Sequence, residues 1–191
     1  MEVVAINGSP RRDGNTYEML QAAIKPLADA GHTCEIINIG AKDVRGCTGC
    51  GKCREIKDGN CHGRKDYLNE IMPKVFKADV IILGSPTYFA DVSAEMKAFI
   101  DRIGYVARSN DDLLKRKLGA AVVVARREGG IHAFDTMNHL FTISQMITVG
   151  SSYWNDGFGS GKGMVAEDAE AMDVMTTLGH NIAWLAEKLE K

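Results

Sequence analysis

No apolar stretch in this sequence approaches the roughly 18 residues of a membrane-spanning helix; residues 119–125 are among the longest and have the length of a strand. No sign of charge dominates. Lys and Arg number 23 against 25 Asp and Glu, a formal net charge of −2, so there is no global basic field and nucleic acid is not an expected partner. Residues 1–12 lack a basic segment followed by an apolar core, which predicts no secretory signal and a cytoplasmic location. Internal repeats, low-complexity tracts and linker-like stretches are also missing from the 191 residues, which predicts one domain over 1–191. With 45% hydrophobic and 25% charged residues, the composition is that of an ordinary globular protein and excludes general disorder.

What is present is an alternation of apolar runs and helical spacings. A β-branched run over 2–7 predicts a first strand, and Tyr17, Leu20, Ile24, Leu27 and Ala28 predict a helix that Pro26 should shorten or kink. Further strands are predicted at 33–39, 78–83, 118–125 and 147–153, with helices at 66–76, 92–103, 132–146 and 166–189. Asp91 or Ser93 is the expected cap of the helix at 92–103. The run 118–125 is apolar throughout, as in a strand buried on both faces. Five strands alternating with five helices imply an α/β fold, a doubly wound parallel sheet with helices on both faces. Ligands of such sheets bind at the carboxyl ends of the strands.

Two connections stand out. The first follows the first strand as Gly8-Ser9-Pro10-Arg11-Arg12-Asp13-Gly14-Asn15-Thr16 and leads into a helix, whose free amides and dipole favour an anion such as a phosphate. Ser9, Asn15 and Thr16 offer donors, Arg11 or Arg12 a cation, and Gly14 close backbone approach. It has neither the Gly-x-Gly-x-x-Gly of a dinucleotide site nor the Gly-Lys-Ser/Thr of a P-loop. After the third strand comes Thr87-Tyr88-Phe89, whose rings suit a flat aromatic ligand as well as a core.

The second connection, about 40–65, is far longer than the usual 2–6 residues between strand and helix. It holds Cys47, Cys50, Cys53 and Cys61, four of the five cysteines. Thiols at two-residue intervals converge only if the backbone coils tightly, for which Gly46, Gly49 and Gly51 are suited. In a reducing compartment such a run points to metal or redox chemistry rather than structural disulfides. An iron-sulfur cluster, a zinc ion with His62 nearby, and free or reversibly oxidised thiols all remain open. Lys52, Arg54, Lys57, Arg64 and Lys65 outnumber Glu55, Asp58 and Asp66 around it, which favours an electron-rich group or an acidic redox partner. Cys34 lies in the second predicted strand and reads as an inert core residue.

The first loop, together with residues 84–102, Gly-Ser-Pro-Thr-Tyr-Phe-Ala-Asp-Val-Ser-Ala-Glu-Met-Lys-Ala-Phe-Ile-Asp-Arg, resembles the NAD(P)H-dependent FMN reductases of the flavodoxin-like fold. The resemblance spans essentially the whole chain. It implies a five-stranded sheet of order 2-1-3-4-5, with the FMN phosphate held by Ser9, Arg11, Arg12, Gly14, Asn15 and Thr16. It puts the flavin ring against Pro86, Thr87, Tyr88 and Phe89, with Arg126, Arg127 and Gly129 completing the ring site. The cysteine spacing resembles that of the iron-sulfur flavoproteins, which pair a 4Fe-4S cluster with FMN, and implies Cys47, Cys50, Cys53 and Cys61 as ligands. A ferredoxin fourth cysteine follows after three residues and precedes proline, whereas here seven residues intervene and His62 follows.

These features imply an FMN-dependent oxidoreductase that exchanges electrons with ferredoxin or NAD(P)H and a small-molecule acceptor, with no side chain needed as acid or base. Two other readings stay open: a cluster-free NAD(P)H-dependent FMN or quinone reductase, and a zinc-stabilised binding module. The family suggests a homodimer or homotetramer, to which Met96, Phe99 and Ile103 could lend an apolar face. The glycine-rich stretch 156–163 is expected near a ligand or subunit, or as a mobile loop; His132 and His139, two turns apart, are not expected to share a metal.

Overall fold

The computed structural model describes residues 1–189. In chain order the elements are β1 (Glu2–Asn7), α1 (Asn15–Asp29), β2 (Thr33–Asn38), α2 (Lys52–Ile56), α3 (Tyr67–Lys77), β3 (Val80–Pro86), α4 (Ala94–Ser109), β4 (Leu118–Ala125), α5 (Gly130–Ile143), β5 (Ile147–Thr148), β6 (Asp156–Phe158), a 3₁₀ turn at Met164–Glu167, and α6 (Ala169–Leu189). The sheet runs β2-β1-β3-β4-β5 with β6 also on β4, and all its pairs are parallel. This is the flavodoxin-like order.

Alternation along the central strands builds two cores. Ile6, Ile81, Leu83, Ala121 and Val123 point into a layer closed by α3, α4 and α5. Val3, Ala5, Val80, Ile82, Ala120, Val122 and Val124 point the other way, toward α1 and α6. Every residue of β4 is buried, which explains its unbroken apolar run. Full burial of a Leu, Ile or Val side chain stabilises by about 1.5–3 kcal/mol, so both layers are needed to hold the strand ends in place.

Three expectations change. Helix α1 passes through Pro26 and ends at Asp29. The Pro26 ring is buried where a side chain on Gly179 of α6 would come within 2.8 Å of it, so interhelical packing holds the last turn despite the missing amide. The fifth sheet position is filled by two short pieces: β5 pairs with the start of β4 and β6 with its end. Residues 150–154 leave the sheet between them: Ser151 Oγ donates to Val174 O of α6, while at either end Val149 N–H donates to Gly119 O and Asn155 O accepts from Val123 N–H of β4. Tyr153 and Trp154, expected at the carboxyl end of a strand, project from this detour as an exposed edge-to-face pair. Finally, Met96, Phe99 and Ile103 are at most 1% exposed, packed in the chain's own core, and cannot form a surface for another subunit. No helix among the described residues is long and apolar enough to cross a membrane.

Candidate functional site

The carboxyl ends of β1, β3 and β4 converge on a cavity of about 210 Å³. Ser9, Arg11, Asn15, Thr16, Pro86, Thr87, Tyr88 and Arg126 line it, eight of the residues expected from sequence, together with Gly159 and Ser160. Its frame is a set of backbone hydrogen bonds. Gly8 N–H donates to Gly84 O (2.8 Å), which fixes the β1 loop to β3, and Thr87 N–H donates to Val124 O (2.7 Å), which fixes the β3 loop to β4. Ser93 caps α4 by accepting from Met96 N–H, while its hydroxyl donates to Gly8 O (2.8 Å) and its amide donates to Ser85 Oγ (3.0 Å). The repeated Gly-Ser-Pro of the two loops is thus joined through one helix cap.

Within the first loop, Asn7 Oδ1 accepts from Ser9 N–H, and Ser9 Oγ accepts from Arg11 N–H. Helix α1 begins after Gly14 with no side-chain cap, which leaves the amides of residues 15–17 free of intrahelical partners. The Asn15 side chain is already engaged: its amide donates to Gly161 O (2.8 Å) and Gly159 O (3.2 Å), pulling the glycine-rich stretch onto the cavity. That stretch is therefore a wall of the site, with Lys162 paired to Asp13 at 2.5 Å outside it. Gly40, which sequence reasoning passed over, backs Ser9 so closely that a Cβ there would lie 2.1 Å from its carbonyl carbon.

The β3 loop carries the tightest turn. Tyr88 and Asp91 exchange backbone hydrogen bonds across Phe89 (φ 49°) and Ala90 (φ 62°), a two-residue turn with both central residues in the left-handed region. Such residues each cost roughly 1–2 kcal/mol, so the surroundings must impose the turn. Asp91 does so: its Oδ1 accepts from Thr136 Oγ1 of α5 (2.8 Å) and from Val92 N–H (2.7 Å). Burial opposes its charge, but these donors outweigh burial and hold the carboxyl below its ordinary range. Phe89 ends fully exposed at the tip, away from the cavity lining; Arg12, Gly14, Arg127 and Gly129 also stand outside that lining.

A second, narrow cleft is lined by Cys47, Cys50, Cys53 and Cys61 together, with Gly63, Arg102 and Tyr105. Gly49 and Gly51 both have left-handed φ (66° and 75°) and provide the coil between the first three thiols. The Cys50 thiol is shifted down by the Lys52 amide and the Thr48 side chain. Cys53, on the five-residue α2, is buried, with 8% of its surface exposed. Gly63 stands where a side chain would meet Cys50 Sγ at 2.6 Å. Among the described residues no three His, Cys, Asp or Glu side chains are gathered as ligands of one ion. Cys34 is partly buried in the opposite layer, and its thiol is pushed up by burial.

A family model described as NADPH-dependent FMN reductase matches residues 1–161. The chain belongs to that family. An iron-sulfur flavoprotein of Methanocaldococcus jannaschii is 34% identical over 203 aligned positions covering all of both chains, and one of Archaeoglobus fulgidus is 36% identical over 96% of this chain and 79% of its own. Among solved structures, the Trp repressor binding protein of Bacillus subtilis superposes with a TM-score of 0.68 at 20% identity, covering 92% of this chain and 98% of its own. As a member of the NADPH-dependent FMN reductase family, the chain is an FMN-dependent oxidoreductase.

The first cavity fits FMN on its own chemistry. The uncapped amides of α1 and the flanking Arg11 suit a phosphate. Thr87 Oγ1 is buried without a partner in the cavity wall, a polar atom left for a ligand. At about 210 Å³ the cavity is smaller than the roughly 300–1,000 Å³ of whole-ligand pockets, and Tyr88 in its lining is 46% exposed.

Proposed function

We propose that this chain is an iron-sulfur flavoprotein, one domain over 1–191 whose last two residues lie outside the described ones. It passes electrons between FMN at the β1, β3 and β4 loops and a 4Fe-4S cluster held by Cys47, Cys50, Cys53 and Cys61. The observation that carries the cluster is that all four cysteine side chains line one cleft. Four thiolates satisfy such a cluster, one for each iron. The names of the archaeal relatives agree.

FMN, when bound, supplies the hydride and single-electron chemistry. The chain binds and orients it. The amides of residues 15–17 with Ser9, Arg11 and Thr16 take the phosphate, and Arg12 adds its charge from outside the lining. The peptide at Gly14, which bears no side chain, admits close approach. Pro86, Thr87 and Tyr88 take the ring, and Thr87 Oγ1 finds its missing partner there. Phe89 covers the outer edge; Arg126, Arg127 and Gly129 close the far side, with Gly129 packed against Thr87 and Ala90. In the cytoplasm the electron partners are ferredoxin or NAD(P)H and a small-molecule acceptor, and the chain works as a homodimer or homotetramer, which gel filtration checks.

Anaerobic purification decides the cluster. About four irons per chain beside one FMN is the expected content, and FMN without iron after anaerobic reconstitution overturns the proposal. In that case direct, rapid NAD(P)H oxidation would establish the second reading, a cluster-free FMN or quinone reductase, which the absence of a gathered ligand set among the described residues favours.

A further inference from the structure

The cysteine cleft is framed by a residue that touches none of the expected chemistry. Arg102 lies on α4 and is 1% exposed, the largest fully buried side chain of the described residues. Its guanidinium donates to both Asp66 oxygens (2.6 and 2.5 Å), to Asn69 Oδ1 (2.8 Å) and to Arg45 O (3.3 Å). Asp66 in turn accepts from Arg45 N–H (3.2 Å) and caps α3 through Leu68 N–H. Asn69 Nδ2 donates to Cys61 O (2.7 Å). One guanidinium therefore gathers residue 45, two positions before Cys47, and residues 61–69, where the loop returns. Its Nε is buried without a partner, and Arg102 itself lines the cleft with the four cysteines.

A buried arginine costs several kcal/mol to desolvate, and this one is matched by a single carboxylate. A core side chain would fill the same space. The placement is explained if the pair sets the geometry of the loop it closes.

We propose that Arg102 is a positioning residue for the thiol cleft: with Asp66 and Asn69 it clamps both ends of the 47–61 loop so that the cysteines face one cleft, and its free Nε–H is reserved for a sulfur of the group they hold. The proposal rests on the reading that the thiols hold a cluster, but the clamp itself can be tested without iron. Ser93, at the start of α4, is nine residues before Arg102, about 14 Å along the axis. One rigid helix thereby links the flavin loops to the cysteine loop.

The test uses the full flavin-loaded chain with Arg102→Lys, which keeps a cation opposite Asp66 but cannot fork to Arg45 O and Asn69 together. Reduced, iron-free protein is reacted with an aromatic disulfide reagent and the modified cysteines are mapped. In the variant the buried Cys53 and half-buried Cys61 are expected to react about tenfold faster, through local opening of the loop, while Cys34 on the opposite layer keeps its wild-type rate. After reconstitution with ferrous iron and sulfide, iron retention against a chelator should fall about 10- to 100-fold, as for other groups that orient ligands. Loss of the Nε–H donor should also make the cluster midpoint potential more negative. Wild-type thiol rates with normal flavin content overturn the clamp. If Arg102→Lys does not fold, Asn69→Ala severs the Cys61 tether and its bond to Arg102 while keeping the Arg102–Asp66 pair, and an unchanged Cys61 rate there overturns it equally. Wild-type protein that takes up no iron sinks the cluster reading, while the thiol rates still decide the clamp.

Discussion

The cavity at the β1, β3 and β4 loops and the cysteine cleft are both fed by loops at the carboxyl side of one sheet, yet they are held in different ways. The cavity is framed by backbone groups of β1, β3 and β4 that bond to one another directly, with the Ser93 cap between them. The cysteine loop has no such frame: residues 44–51 belong to no regular element, and side chains of Arg102, Asp66, Asn69 and Asn110 tie the loop from outside. A backbone frame is preorganised for its ligand. A loop hung on side chains owes more of its order to what it binds.

Removing the carboxylate of the clamp should affect the two regions most unequally. Asp66→Ala leaves the buried Arg102 cation unpaired, which costs about 3–5 kcal/mol. Urea unfolding should show that loss, with iron binding lost before flavin binding; equal loss of both would erase the distinction between the regions. Gly40→Ala strikes the other side. Its Cβ would lie 2.1 Å from Ser9 backbone, an overpacking worth about 1–3 kcal/mol. Flavin fluorescence titration should report weakened FMN binding with iron content retained, and unchanged affinity would show that the Ser9 peptide is not part of the phosphate site.

Acid should separate the regions in one titration. Burial raises the Asp66 carboxyl, but the Arg102 guanidinium and the amides of Arg45 and Leu68 outweigh it, so the folded group titrates below its ordinary value. A depressed carboxyl contributes stability that is present above the unfolded value near 4 and is lost as pH falls through the folded one. Thiol reactivity of the cysteine loop should therefore rise on acid pretreatment below about pH 4, and Asp66→Asn should abolish that step without moving flavin release, to which the likewise depressed Asp91 carboxyl contributes. Flavin release shifted equally by Asp66→Asn would erase the distinction. The smallest effect belongs to Thr87→Val. It removes a buried unpartnered hydroxyl, so flavin-free protein should gain about 1 kcal/mol in thermal unfolding, while FMN binding weakens by about 0.5–1.5 kcal/mol. No change in affinity would remove Thr87 from the ring site.

Much was legible in the sequence for reasons of periodicity. Strands β1 and β4 have the predicted limits because their side-chain burial is continuous, and a run of apolar β-branched or small residues has few other uses. The cavity could be read from the two Gly-Ser-Pro loops, since short motifs at strand ends carry their own geometry. Arg102 could not. It sits in a quoted motif as one more helical charge, and only packing shows that it is buried and forked across residues 45, 66 and 69. Gly40 was equally silent, because its importance lies in Ser9, thirty-one residues away.

Local order in the chain thus determined the alternation of strands and helices, the loop that suits a phosphate, and the thiol set at its two-residue spacing. Tertiary structure decided that Pro26 stays helical, that the fifth sheet position is split, that Met96, Phe99 and Ile103 face inward, and that Asn15 holds a loop. It also decided that a single guanidinium holds the cysteine cleft together. The difference is physical: hydrophobic period and turn chemistry act over a few residues, whereas close packing and buried hydrogen bonds join groups whose separation in sequence carries no signal.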